Sequence, residues 1–547
     1  MARQRSAPHN THMLDVHALK TEDLKGLSPS AMAEVAARML AHIGEQSRHI
    51  GAQAKQLDRQ GQAIKFKDAK IERITFELAR LKAWRFGAKT EAMNAEQRQM
   101  FEETLAEDQA SLEAQLQALQ GELAQPSAST AGHIKRKPRR QALPEHLRRV
   151  EHRHEPENTT CECGEAMVRI GEDVSEKLDI VPAEFFVHRH VRGKWACKCC
   201  QRLVQEPVEP QIIDKGMPAP GLLAHTMVSR FVDHMPYYRQ EQINARSGVH
   251  TPRATLASWA GQTGAGLEPL FDAHKAFVFG SRVLHADETP VAMLDPGAGK
   301  TKRAYLWAYA RGGFEPQPGV AYDFCISRAA RHPVAFLKGW SGTLVCDDYV
   351  AYDSVLKLEN RIEAGCTAHS RRKFDELIKA NQSPVAAQAV QRIAALYRIE
   401  REAKELSPED RLAVRQDRTK PLCKEMHVWL QLERQRVPDG SAIAGAIDYS
   451  LNRWGALTRF LQDGDVPIDN NHCENLMRPW AMGRKAWLFA GSELAGQRAA
   501  IIMSLLQSAK LNGHDPRAYL KDVLARLPTH LNSRINELLP HRWQPQL

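Results

Sequence analysis

The chain has 547 residues, 43% hydrophobic and 26% charged, a balance that excludes wholesale disorder and suggests several folded units. Its formal charge is +10, which favours a polyanionic partner. No apolar run approaches the roughly 18 residues needed to cross a bilayer, and the N-terminal MARQRSAPHNTHMLDV lacks an apolar signal core, so neither a membrane nor export is expected. Ten cysteines are too sparse for a disulfide scaffold, and a cytoplasmic chain keeps them as thiols or metal ligands.

Residues 1–40 read as a leader, expected to be disordered. From 41 to 124 the pattern is helical: Ile43, Ile50, Leu57, Ile64, Ile71 and Leu78 recur every seven residues, and Leu105, Leu112 and Leu119 resume the spacing after FGAKTEAMN. Of the second heptad positions Ile74 and Leu81 are apolar and Gln60 and Lys67 are not, so the seam is narrow. Such a stripe forms a dimerising coiled coil or packs within its own chain. Residues 125–155 combine a small-residue linker, AQPSASTAG, with a basic arm. Between His133 and Arg153 eight Lys or Arg stand against Glu145 and Glu151, a net of +6. Lys135, Arg136, Lys137, Arg139 and Arg140 are its densest part, and flexible cations of this kind suit phosphate backbones when they are not simply a solvated charge run.

Cys161 and Cys163 form a C-x-C pair, and Cys197 and Cys200 a C-x-x-C pair, within a region bounded at 156–210. Two close thiolate pairs supply four soft ligands in the tetrahedral set that Zn²⁺ favours, in a closed, structural site. Cys199 is an alternative ligand beside the second pair. Residues 211–277 are helical. In SGVHTPRATLASWAG a glycine turn precedes Thr251 as N-cap and Pro252 at the first helical position, which fits half of a helix-turn-helix or a plain connector.

From 278 to 490 short β-rich runs follow: RVLHADETPVAML, KRAYLWAYA, GVAYDFCIS, GTLVCDDY and RIEAGCTAH, with a helix, ARHPVAFLKGW, between the third and fourth. This order predicts an α/β core around one sheet, with a polar helical insertion at about 375–465 in which Ser407 and Pro408 start one helix. Residues 491–547 complete the chain as a helical region. Three acids lie where strand ends or a helix start would present them: Asp287, Asp347 or Asp348, and Glu474, the last in a helix that Asp469 would cap. Carboxylates from two strands and a helix can converge on two Mg²⁺ ions, one activating an attacking hydroxyl and one stabilising a leaving oxygen of a phosphodiester.

The strings HADETPV, CDDYVAYD, GCTAHSRRKF, IDNNHCENLMRP, GRKAWLFAGSE and AKLNGHDPRAYLKDVL resemble motifs of the insertion sequence 66 family of bacterial transposases. RLKAWRFGAKTE resembles the family's N-terminal helix end, CECGEAM and the segment through GKWACKCC its zinc-binding module, and LNSRINELLPHRW its terminal tail. The resemblance implies a multidomain α/β protein with a ribonuclease-H-like catalytic core, a helical insertion, an N-terminal coiled coil and a small zinc-binding module. It implies an Asp-Asp-Glu triad at Asp287, Asp347 and Glu474, holding Mg²⁺ or Mn²⁺. Asp348 takes the place of the family's usual glycine, and consecutive strand side chains point to opposite faces, so only one of the two adjacent acids can join the site. Cys366 and His369 resemble a C-x-x-H motif shared by several transposase families; an isolated pair is a poor zinc site, so an ordering role near the active site is expected, with ordinary core residues as the alternative. Arg371, Arg372 and Lys373, and Arg478, Arg484 and Lys485, are flanking cations suited to substrate phosphates.

The reading is a transposase, cytoplasmic and nucleoid-associated, that binds the double-stranded ends of an element, cleaves a strand and joins the exposed 3′-hydroxyl to target DNA without a covalent protein–DNA intermediate. A homo-oligomer and accessory proteins of the same element are expected partners. Two other readings use the same residues: an inactive transposase-derived DNA-binding regulator, and a metal-dependent nuclease without joining activity.

Overall fold

A computed structural model describes the chain from Leu143 to Pro545, apart from residues 144, 146, 157–158, 161–164, 182–183, 296–299, 359 and 382. Upstream it describes only scattered positions between 28 and 117, nearly all helical. Residues 1–76 form one unit and 77–547 a second. In the first, Ile71 is half-buried and Ile74 buried; in the second, Leu78 and Leu112 are buried. Of the other heptad positions named above, Lys67 is helical and half-buried; the rest lie outside the described residues, as do Lys135, Arg136, Lys137, Arg139, Arg140, Cys161 and Cys163.

The first sheet has the order β1-β3-β2, with β4 beside β3. Its strands are β1 (Arg148–His154), β2 (Val168–Val181), β3 (Glu184–Ala196) and β4 (Leu203–Gln205). The sequence pattern had put residues 148–154 in the basic arm, yet they pair in parallel with β3, His152 opposite His190. The strand is legible only through its partners: His152 and His154 meet His188 and His190 of β3, and Arg149 pairs with Glu176 of β2. The inner end of β2 and β3 is buried, with Leu178, Ile180, Phe185 and Val187 packed on helix Pro220–Phe231. The outer end is bare, with Ile170 56% exposed.

Helices Tyr237–Arg246 and Arg253–Gly266 meet at a turn in which Gly248 takes φ +77°, a left-handed conformation that glycine adopts without a Cβ penalty. The second helix begins one residue later than the sequence pattern suggests. Pro252 is extended (φ −56°, ψ 140°) and occupies the cap position, so Thr251 does not cap and its hydroxyl is buried.

The second sheet holds five strands in the order β7-β6-β5-β8-β9: β5 (Val283–Asp295), β6 (Lys300–Arg311), β7 (Val320–Cys325), β8 (Gly342–Cys346) and β9 (Arg361–Gly365). β5, β6 and β7 are antiparallel, and β8 and β9 run parallel to β5. Every one of the five predicted runs is a strand here. Their apolar character follows from cover on both faces, and Trp307, Tyr309 and Tyr322 are fully buried. One layer includes helices Asn471–Trp487 and Glu493–Leu511; the other includes the short helices Arg331–Phe336 and Ala351–Leu356. The exposed edge of β7 is closed by serines. Ser508 Oγ accepts from Val320 N at 3.0 Å and Ser504 Oγ from Tyr322 N at 2.8 Å, one helical turn apart. This satisfies donors that an edge strand otherwise leaves open to another chain.

Between β9 and the Glu474 helix the chain builds a helical block: Thr367–Asn381, Pro384–Ala403, Pro408–Val414, a π-turn Arg415–Thr419, Lys420–Arg436, Ala442–Asn452 and Trp454–Leu457. Ser407 caps its helix as expected, its hydroxyl accepting from Asp410 N at 3.1 Å. At the centre Arg415 is fully buried. It donates to both oxygens of Glu400 (2.9 and 2.6 Å) and to the carbonyls of Phe460, Asp463 and Val466 (3.0, 2.9 and 2.9 Å). A buried ion pair is tolerated when its remaining hydrogen-bonding capacity is filled in this way.

Candidate active site

The site grows from the register of two parallel strands. Leu284 pairs with Leu344 and His285 with Val345. Two residues further along each chain stand Asp287 and Asp347, so alternation puts both carboxylates at one level on one face. The next residue, Asp348, takes the opposite direction. Its carboxylate accepts from Arg453 Nη1 at 2.5 Å and is 54% exposed, while Arg453 also pairs with Glu363 and donates to the Asp347 carbonyl at 3.3 Å. Asp347 Oδ1 accepts from Tyr349 N at 3.1 Å and Asp287 Oδ1 from Glu288 N at 2.9 Å.

Glu474 arrives from the helix Asn471–Trp487, whose start is pinned to β5. His285 Nδ1 donates to Asn470 Oδ1 at 2.8 Å, and Asn470 Nδ2 donates to the Ala286 carbonyl at 2.8 Å. Asn470 therefore occupies the cap position without capping through its side chain. Asp469 takes over that task, accepting from Asn471 N at 3.0 Å, and it also accepts from Tyr397 OH at 2.8 Å. Burial holds His285 neutral, down at about 3, consistent with its role as donor to an amide oxygen.

Burial, then the charges of Glu288, Asp347 and Glu474, push Asp287 up to about 8. The site thus carries more negative charge than its own cations offset, which is the environment a divalent cation relieves. The three carboxylates are coupled but not gathered into one donor set. Among the described residues the one trio of His, Cys, Asp and Glu donors lying within 4.8 Å of one another is Cys366, His369 and Glu474.

The flanking cations differ. Arg372 donates to Glu474 Oε2 at 3.2 Å and is 54% exposed. Arg371, Arg478 and Lys485 are exposed, and Lys373 is exposed with its ammonium 4.5 Å from the Tyr449 ring centre. Arg484 is committed to the scaffold, donating to the Pro290 carbonyl at 2.8 Å. Sequence reasoning missed His285, Asn470, Glu288 and Arg328. Glu288 is adjacent to Asp287 but faces the other way, its side chain 2% exposed, accepting from Tyr352 OH at 2.8 Å and pairing with Arg328. Burial raises its pKa, and the guanidinium opposes that rise while lying 3.4 Å from the Tyr349 ring centre. An acid inside an otherwise apolar strand was the signal available for it.

In the first sheet, Cys197 and Cys200 share a turn closed by Gln201 N to the Cys197 carbonyl at 2.9 Å, with Gln201 in the left-handed region (φ 58°). Cys197 is buried and Cys199 and Cys200 are exposed. Further back along β3 lies a histidine ladder. His152 Nε2 and His188 Nδ1 are 2.9 Å apart, His154 Nε2 and His190 Nδ1 3.0 Å apart, and His188 Nε2 donates to Asp179 Oδ2 at 2.9 Å.

No helix among the described residues is long and apolar enough to cross a membrane. Residues 215–498 match the model of the "Transposase IS66 family", 158–201 the "zinc-finger binding domain of transposase IS66", 504–541 the "IS66 C-terminal element" and 73–151 the "Transposase C of IS166 homeodomain". Two uncharacterized proteins of Sinorhizobium fredii are similar along most of their length. One, y4jD, is 39% identical over 417 residues, covering 74% of this chain and 81% of that protein. The other, y4qI, is 35% identical over 539 residues, covering 94% and 98%. With its central half, its zinc-binding segment and its C-terminal element all matched in order, the chain belongs to the IS66 family of transposases.

Proposed function

We propose that the protein catalyses DNA strand cleavage and strand transfer at the ends of its element, with Asp287, Asp347 and Glu474 as the acids of one active site. The observation that carries this reading is the approach of carboxylates from two adjacent, register-matched strands and a pinned helix; burial first, then the charges of Glu288, Asp347 and Glu474, hold Asp287 up at about 8. The strand order β7-β6-β5-β8-β9, three antiparallel and two parallel, supports a ribonuclease-H-like core around them.

The excess negative charge fits a hard divalent cation, Mg²⁺ or Mn²⁺, which Asp287, Asp347 and Glu474 would hold and which would lower the pKa of an attacking oxygen and stabilise a leaving one. The chain's own residues set the stage for the reaction. His285 and Asn470 fix the start of the Glu474 helix against β5, so the third acid cannot drift along the strand. Arg453 takes Asp348 out of the site. Arg328 and Arg372 carry exposed guanidinium surface beside the acids, placed to meet backbone phosphates, and Arg371, Arg478 and Lys485 extend that cationic rim. A water would first break a phosphodiester P–O bond at the element end, releasing a 3′-hydroxyl. That hydroxyl would then form a new P–O bond with target DNA as a target 3′-oxygen leaves, and the protein stays unmodified.

Cys161, Cys163, Cys197 and Cys200 would hold a structural Zn²⁺, and the basic arm with the N-terminal helices would engage DNA ends and assemble protomers. The decisive experiment is strand transfer with purified protein, element-end DNA and Mg²⁺. Joined product that is lost in Asp287→Asn and Glu474→Gln supports the assignment. Cleavage without joining identifies a nuclease, and end binding without cleavage a regulator; either outcome overturns it.

A further inference from the structure

Cys366 follows β9 directly, and His369 stands in the first turn of helix Thr367–Asn381, so the two-residue spacer turns both side chains toward the start of the Glu474 helix. Their donor atoms and a Glu474 oxygen lie within 4.8 Å of one another. His369 Nδ1 and Glu474 Oε1 are 3.7 Å apart. Both atoms are buried and neither has a hydrogen-bond partner among the described residues. A gap of that length is too long for a hydrogen bond. It is close to the roughly 3.4 Å that separates two ligands held tetrahedrally at about 2.1 Å from one Zn²⁺. Asn470 N also donates to Cys366 Sγ at 3.2 Å, a contact that a thiolate accepts better than a thiol.

We propose that Cys366, His369 and Glu474 form a second zinc site, distinct from the cysteine module, with three protein ligands and one open position. The mixed sulfur, nitrogen and oxygen set selects a borderline ion such as Zn²⁺ over Mg²⁺, which avoids thiolate. The consequence depends on the reading of Glu474 as the third acid, although the site itself does not. Zinc would draw Glu474 Oε1 toward Cys366 and His369, leaving Oε2 with Arg372. The carboxylate then serves either this ion or the hard cation beside Asp287. Zinc would act as a brake on strand transfer that Mg²⁺ relieves by competition for Glu474.

The test is metal content of the full-length protein after dialysis against zinc, with Co²⁺ substitution as a spectroscopic reporter of thiolate ligation. About two zinc ions per chain are expected in the wild type and about one in Cys366→Ser and in His369→Gln, both with unchanged circular dichroism. Cys197→Ser should instead lose the module's ion and keep the cobalt band of a single-thiolate site. Should Cys366→Ser fail to fold, His369→Gln, at a partly exposed position, carries the test alone. One zinc per chain in the wild type, or unchanged stoichiometry in His369→Gln, overturns the second site. That failure leaves the acid assignment standing if Glu474→Gln still abolishes joining. If Glu474→Gln joins DNA normally while its zinc content falls, the acid assignment fails and the zinc site survives.

Discussion

The two sheets of this protein use polar residues in opposite ways. The five-stranded sheet is covered on both faces, and the acids at its open end feel that cover: Asp287, two residues beyond the buried His285, is raised to about 8. The sheet of β1 to β4 is covered only at its inner end, and its polar ladder is made of histidines that satisfy one another. Burial, then the neighbouring histidines, lower His190 to about 4. One sheet crowds its carboxylates, so that Asp287 keeps its proton up to about pH 8. The other avoids positive charge by keeping its imidazoles neutral, since each His···His contact needs one N–H and one lone pair.

The largest expected effect separates the two sheets by packing. Trp307→Ala should cost about 3–5 kcal/mol in denaturant unfolding, because the cavity lies in the core between the sheet and the short helices. Ile170→Ala, on the bare end of β2, should stay within about 0.5 kcal/mol. Equal losses would erase the distinction. Next, Asp287→Asn should reduce strand transfer by about 100- to 1000-fold or more while retaining DNA binding. The same change should stabilise the metal-free protein in alkali. A carboxyl whose folded pKa is about 8 contributes stability fully below its unfolded value of 3.8, and this is lost as pH rises through 8. An asparagine has no such loss, so the melting-temperature gap between variant and wild type should widen as pH rises from about 4 to 8 and stay constant above it; a gap that does not change with pH would mean that Asp287 is exposed to solvent.

The smallest effect concerns the histidines. With His190 lowered from 6.5 to about 4, the unfolded chain binds more protons across that window, so stability falls as pH drops from 6.5 toward 4. His190→Gln should flatten the acid limb of a pH series of melting curves. An unchanged limb would mean that the ladder is already open to water.

Much of the five-stranded sheet was legible because covered strands write long apolar runs: all five starts were read to within two residues, while the runs for β8 and β9 extended three and four residues past the strand ends. The family's motifs pointed to Asp287, Asp347 and Glu474. The choice of Asp347 over Asp348 rested on the register of the family's motif, with strand alternation allowing only one of the two, and Arg453, 105 residues downstream of Asp348, adds a partner that no local pattern announces. His285 and Asn470 escaped for the same reason: a single contact across 185 residues leaves no periodicity. Strand β1 escaped because its neighbours are polar, so its sequence looks like a tether. Helix Ala351–Leu356 is too short to show a repeat.

The buried Arg415 has a mechanical meaning beyond the stability of its ion pair. It grips the carbonyls of Phe460, Asp463 and Val466, and four residues after Val466 the chain reaches Asn470, which is itself fastened to β5. The helical block and the third acid are therefore joined by a strut with almost no slack. A force applied to the block by DNA would reach Glu474 as displacement instead of dissipating in a loop. Insertions between 437 and 441, where the block turns at its surface, leave that strut intact, whereas a change of length between 466 and 470 would move the acid itself.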